Sequence, residues 1–191
     1  PGAPLGTRRE IKNLNSFKHI VQAADYEIKI REQAEETRKV KTKRQELMRR
    51  FWTQFVAQSK VHTKLFDQRT ATTDHWLTAG IGRSGFAISA SIIEDRARIE
   101  CLIRLGKDNA AANKKAFRAL LAQKATIEKA FGAELVWDEM PEKISSRIHV
   151  DRLGGGWRSP EAEWPAIQEW MAVTADRLEK ALSGPIKALP V

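Results

Sequence analysis

The chain has 191 residues, enough for one ordinary core, and its 42% hydrophobic and 30% charged residues describe a soluble globular protein. No apolar run approaches the ~20 residues of a membrane span and no signal-peptide pattern opens the chain, which excludes a membrane partner. Thirty-three basic against 24 acidic residues give a net charge of +9, a balance that points to a polyanion such as nucleic acid; the single Cys101 excludes an internal disulfide and suits a reducing cytoplasm.

Residues 1–15 carry two prolines and two glycines without periodicity. They read as a linker or frayed end, and the missing initial methionine raises the expectation of a piece of a longer protein. Ser16 is the expected N-cap of a helical stretch, because no Gly or Pro occurs from there to about Lys60. Such a stretch predicts one long helix, or two joined by a short kink. Phe17, Ile20, Val21, Ala24 and Ile28 form a seam too narrow for a deep core; it suits a partner helix or a second copy of the chain, a homo-oligomer. Arg38, Lys39, Lys41, Lys43, Arg44, Arg49 and Arg50 then crowd into thirteen positions opposed only by Glu46. They read either as a solvated helix or as a phosphate-contacting patch. Leu47, Met48, Phe51, Trp52 and Phe55 restore a wide apolar face, so a helical arm over 1–45 and a folded domain over 46–191 are expected.

Residues 74–105 predict three consecutive antiparallel strands. The first reversal is Gly82-Arg83-Ser84-Gly85, a hairpin turn with Arg83 and Ser84 at its tip; the second falls at Glu94-Asp95-Arg96. In the third strand Ala97, Ile99, Cys101, Ile103 and Leu105 share the dry face, while Arg98, Glu100, Leu102 and Arg104 share the wet one. A helix of about 24 residues capped by Asp108 should come next, ending at Gly132 in a left-handed cap. Glu134–Met140 and Ser145–Asp151 read as fourth and fifth strands, the latter with Arg147 and His149 opposite Ile148 and Val150. Gly154-Gly155-Gly156 reads as a flexible turn. Trp164-Pro165 opens a last helix that Ser183-Gly184-Pro185 should end. The fold class is α+β: a mainly antiparallel sheet of about five strands covered by helices, with a long N-terminal helical arm.

The chemistry-bearing residues argue against an enzyme. His19, His62, His75 and His149 lack the neighbours that metal ligation requires, and no cofactor motif is found; the three glycines are not followed by the Lys-Ser/Thr of a phosphate loop. Ser84 stands before a strand rather than at a strand-to-helix elbow, so it is no hydrolase nucleophile. Asp138, Glu139, Glu142 and Lys143 superficially suit a metal-dependent nuclease, yet Pro141 interrupts them and a charged surface turn is the better reading. A binding surface remains: Arg83, Ser84, Arg98, Arg104, Arg147 and His149 converging on phosphate, with Trp76 or Trp157 stacking on a base. The competing reading is that Arg83 bonds the carbonyls of its own turn and the tryptophans fill the core.

At Phe51-Trp52, His75-Trp76, Ile81-Gly82-Arg83-Ser84-Gly85-Phe86, Ser146-Arg147-Ile148 and Trp164-Pro165 with Trp170, the chain resembles domain-of-unknown-function family 4268, from about residue 46 to 187. The resemblance implies an α+β module at the C-terminal end of prokaryotic proteins, often behind a domain similar to restriction-type nucleases and so in a defence-related setting. It implies no reaction and no catalytic residues, although Arg83 and Arg147 fall on family motif positions. The function expected is a non-catalytic accessory module that binds or positions nucleic acid. A protein-interaction or homodimerisation module and a small metal-dependent nuclease are the alternatives.

Overall fold

The structure is a computed structural model that describes residues 14–190, with side chains from Tyr26 onward. The chain divides into two compact units, Pro1–Arg44 and Gln45–Val191. One unbroken helix, α1 (Leu14–Ser59), begins in the first unit and ends in the second. Its backbone is already helical at Leu14, so Ser16 lies inside the helix rather than at its cap. The linker reading of residues 1–15 does not hold at Leu14 and Asn15, which are helical; its remainder, residues 1–13, lies outside the described residues, as do the side chains of Phe17, Ile20, Val21 and Ala24. Ile28, the remaining member of that stripe, is 53% exposed.

In the first unit every described side chain from Tyr26 to Arg44 is exposed. Local interactions support the helix there: Arg31 lies 4.0 Å from Glu27 and Lys39 3.0 Å from Glu35, pairs one turn apart that each contribute about 0.2–0.5 kcal/mol.

The second unit is built on a five-stranded sheet in the order β1-β2-β3-β5-β4, antiparallel throughout. The strands are β1 (Trp76–Gly80), β2 (Phe86–Ile92), β3 (Arg96–Ile103), β4 (Val136–Asp138) and β5 (Ser146–Leu153). The expected alternation of β3 holds: Ala97, Ile99, Cys101 and Ile103 are fully buried and the residues between them are half-buried. Their dry face carries α4 (Trp164–Lys187) against β2 and β3, and α2 (Ala110–Leu121) against β3 and β5, while α3 (Lys124–Phe131) lies on α4. Buried Met48, Phe51, Trp52 and Phe55 of α1 close the core, the three aromatic rings making edge-to-face contacts at 5.0–5.4 Å among themselves and with Phe66 and Trp164. Gln168 fixes that packing by donating Nε2 to the Phe51 carbonyl at 3.1 Å.

Four element boundaries beyond α1 are corrected. The helix after β3 is two helices, because the chain tightens at Gln123, whose N–H bonds the Leu120 carbonyl three residues back at 2.9 Å. Its N-cap is Asn109, whose Oδ1 accepts from Ala112 N–H, rather than Asp108; Gly132 closes α3 in the left-handed conformation as expected. The fourth strand shrinks to three residues, since Asp138 Oδ1 accepts from Met140 N–H and Met140 takes φ 48°. α4 runs through Pro185 to Lys187: a proline there removes only the hydrogen bond to the carbonyl four residues back, and the Arg83 side chain ties down the chain end by donating to the Ile186 and Leu189 carbonyls.

The glycine run is not a flexible turn. Gly154 and Gly155 N–H both donate to the Asp95 carbonyl, at 3.0 and 3.3 Å, and Trp157 N–H donates to the Ile93 carbonyl at 2.8 Å. A Cβ on Gly156 would overlap the Glu94 carbonyl group. Only glycine permits this approach.

Candidate functional site

Strand register lays three rows of side chains across the sheet face opposite the core. Trp76, Ser91, Arg98 and Asp151 form the first; Thr78, Ser89, Glu100, His149 and Val136 the second; Gly80, Ala87, Leu102, Arg147 and Asp138 the third. Four of the seven sequence candidates, Trp76, Arg98, Arg147 and His149, are therefore brought to one surface. Arg104, exposed and one residue beyond β3, continues the alternation onto it, its N–H bonding the Gly85 carbonyl at 2.7 Å.

The surface is not a cationic ledge. Arg98 grips Asp151 with both arms, Nε to Oδ1 at 2.6 Å and Nη2 to Oδ2 at 2.8 Å. Arg147 donates Nη2 and Nε to Asp138 Oδ2 at 2.8 and 3.0 Å, and its Nη1 lies 3.7 Å from Glu100. These two guanidinium groups face three carboxyl groups, so their charge is neutralised within the sheet. The hydrogen bonds from Arg98 hold the Asp151 carboxyl below its usual range, while burial pushes Glu100 up. Burial, and then the Arg98 charge, pushes His149 down. The His149 Nδ1 is buried, 3.4 Å from Asp151 Oδ1, and makes no hydrogen bond.

Arg83 and Ser84 occupy the hairpin tip made by Gly82 (φ 80°) and Gly85 (φ 86°). Arg83 neither stands free for phosphate nor bonds its own turn. Its Nη1 donates to the carbonyls of Ile186 at 2.7 Å and Leu189 at 2.8 Å, capping the end of α4. Ser84 is exposed. The acidic turn is dispersed as well: Asp138 belongs to Arg147, Glu139 accepts from Arg118 at 2.7 Å, and no three His, Cys, Asp or Glu side chains gather into a metal site among the described residues. The Cys101 thiol is fully buried and pushed up to about 12 by that burial, which removes it from thiolate chemistry.

Sequence reasoning missed Asp151 and Glu100 as neutralising partners, because their roles depend on the register of β3 against a strand some fifty residues later. Cations without such partners lie elsewhere. Residues 38–44 read Arg-Lys-Val-Lys-Thr-Lys-Arg on the first unit's part of α1. Lys39 pairs with Glu35, whereas Arg38, Lys41 and Lys43 are exposed with no carboxylate partner among the described residues.

Comparison with known proteins gives two family descriptions that overlap over residues 47–75. The description GatB/GatE catalytic domain matches residues 2–75. A 29-residue stretch is 76% identical to an aspartyl/glutamyl-tRNA(Asn/Gln) amidotransferase subunit of Albidiferax ferrireducens, covering 15% of this chain and 6% of that protein. The corresponding subunit of Variovorax paradoxus is 79% identical over 28 residues, again 15% and 6%. A mitochondrial glutamyl-tRNA(Gln) amidotransferase subunit of Danio rerio is 61% identical over 28 residues, 15% and 5%. The matched stretch thus spans about one-twentieth of these relatives. No solved structure matches the chain. The description Domain of unknown function (DUF4268) matches residues 47–186, nearly three-quarters of the chain. On that match, which takes in the sheet, α2, α3, Arg83 and all but the last residue of α4, the chain belongs to the family Domain of unknown function (DUF4268).

Proposed function

We propose that the chain is a non-catalytic accessory module that binds nucleic acid through the cationic run Arg38–Arg44, with the family domain as its folded body. The carrying observation is the exposure of Arg38, Lys41 and Lys43 without carboxylate partners among the described residues, in a stretch of five cations and no acid. Phosphate contacts need cations that no carboxylate already neutralises, and the counterions such cations displace give binding its salt dependence. Arg98 and Arg147 fail that requirement; Arg38, Lys41 and Lys43 meet it. The short stretch shared with the amidotransferase subunits lends support, since their name makes transfer RNA one polyanion to test. A setting beside a nuclease-like, defence-related partner domain is proposed on the family resemblance.

Fluorescence anisotropy with transfer RNA and with duplex DNA across a salt series tests this reading. Binding should fall steeply with salt, and replacing Arg38, Lys41 and Lys43 together by Gln should reduce the log–log slope on duplex DNA by about 2 to 3, at roughly 0.9 per phosphate contact. Binding that ignores the triple substitution would reject the helix run as the site. The dimerisation reading keeps one described support, the exposed Ile28, and light scattering of the intact chain decides it.

A further inference from the structure

We infer that β1 pairs with β1 of a second copy of this chain, antiparallel about a twofold axis at Thr78, so that two sheets run on as one. β1 and β4 are the two edges of the sheet, and an edge presents a row of backbone groups that another strand can meet. The phase of the β1–β2 ladder says which groups these are. Ile92 N–H donates to the His75 carbonyl at 2.8 Å and Ile81 N–H to the Phe86 carbonyl at 3.4 Å. His75, Leu77, Ala79 and Ile81 therefore turn their N–H and C=O toward β2, and Trp76, Thr78 and Gly80 turn theirs outward. No donor or acceptor meets those outward groups among the described residues.

The two edges differ in protection. β4 has three residues and ends on charged Asp138, with Met140 at φ 48° and Pro141 just beyond it; shortness, charge and proline all keep a further strand from adding. β1 reads Trp-Leu-Thr-Ala-Gly, five residues with no charge, proline or bulge. Its sequence also complements itself. Pairing centred on Thr78 sets Trp76 opposite Gly80 of the second copy, and Gly80 opposite that copy's Trp76. The Trp76 side chain is 44% exposed, and a Cβ on Gly80 would meet nothing within 4 Å. An indole laid over the glycine opposite covers backbone that glycine leaves bare. The charges fit the same register. Asp74 falls opposite Gly82 of the second copy, and Lys187 lies beside Gly82, its Cε 4.0 Å from where a Cβ would stand. Asp74 and Lys187 are exposed, and neither side chain forms an ion pair among the described residues. The twofold axis repeats this opposition at both ends of the paired strands.

Sedimentation velocity and amide exchange of the ¹⁵N-labelled full chain, both followed up to about 1 mM protein, test the inference. A dimer is expected, and its formation should slow exchange at Trp76, Thr78 and Gly80, whose N–H groups otherwise face water. Thr78→Lys sets two ammonium groups against each other at the axis, and Trp76→Ala uncovers the glycine opposite. Each should weaken dimerisation by about tenfold or more with the unfolding midpoint retained, because both side chains lie on the face away from the core. Ile28→Lys, on the first unit's part of α1, should leave the dimer unchanged. A monomer at about 1 mM, a dimer that withstands Thr78→Lys or dissolves with Ile28→Lys, or a dimer that leaves exchange at Trp76, Thr78 and Gly80 as fast as before would each overturn it.

Discussion

Arg83 shows how a cation at a glycine turn can serve the backbone instead of a ligand. Its guanidinium gathers the carbonyls of Ile186, in the last turn of α4, and of Leu189, two residues beyond that helix, a place where carbonyls run short of backbone donors. Arg83→Ala should cost about 1–3 kcal/mol in denaturant unfolding and speed amide exchange over residues 186–189, the larger figure applying because hydrogen bonds to charged donors are the stronger ones. His149 makes a second residue-scale case. Its folded pKa is depressed by burial, so the unfolded chain binds the proton more readily. Stability is present above the ordinary value near 6.5 and is lost as pH falls from there through the folded pKa. Asp151, depressed by Arg98, adds a similar loss below its ordinary value of 3.8. Glu100 is raised by burial, and its contribution has the opposite sign: present below its ordinary value of 4.5, lost as pH rises through the folded pKa. Urea midpoints measured against pH should show the His149 limb just below pH 6.5 in the parent chain and not in His149→Gln. Unchanged curves would mean that His149 is not held neutral by burial.

At the scale of elements, the strands were the most legible part of the chain. Two-residue alternation in 96–103 and 146–150 and the paired glycines at 82 and 85 predicted the hairpins, since a period of two with one buried face admits little else. Element ends were harder to read. Nothing in Ala122-Gln123 marks a break, because the turn there is made by ordinary residues and not by Gly or Pro. At Ser183-Gly184-Pro185 the breaker residues are present and the helix continues, because Arg83, a hundred residues earlier, stabilises the last turn. The glycine run misled for the same reason: its partner is the Ile93–Asp95 carbonyls, distant in sequence. That contact gives an element-scale prediction. Gly156→Ala must displace the Glu94 backbone and should cost about 1–3 kcal/mol or more. Gly154, with φ 71° and nothing within 4 Å of an added Cβ, should accept Asn at under about 1 kcal/mol. Thermal unfolding of the two variants side by side checks the contrast.

For the whole molecule, the distribution of charge sets the family domain apart from the cation-rich part of α1. Residues 1–44 hold 11 of the 33 basic and 6 of the 24 acidic side chains, an excess of five in less than a quarter of the length; the remaining 147 residues carry an excess of four. Net charge alone suggested nucleic acid but could not say where, because which arginines are neutralised depends on cross-strand pairing that a linear sequence does not display. The family domain supplies a tightly closed core and a sheet face whose charges balance one another, and α1 carries cations that no described carboxylate offsets. The most direct test is the salt dependence of transfer RNA and duplex DNA binding by the intact chain beside its Arg38→Gln, Lys41→Gln, Lys43→Gln variant. Steep salt-dependent binding that the variant largely loses is the expected result. No binding at low salt, or binding of the same strength and slope in both proteins, would contradict it.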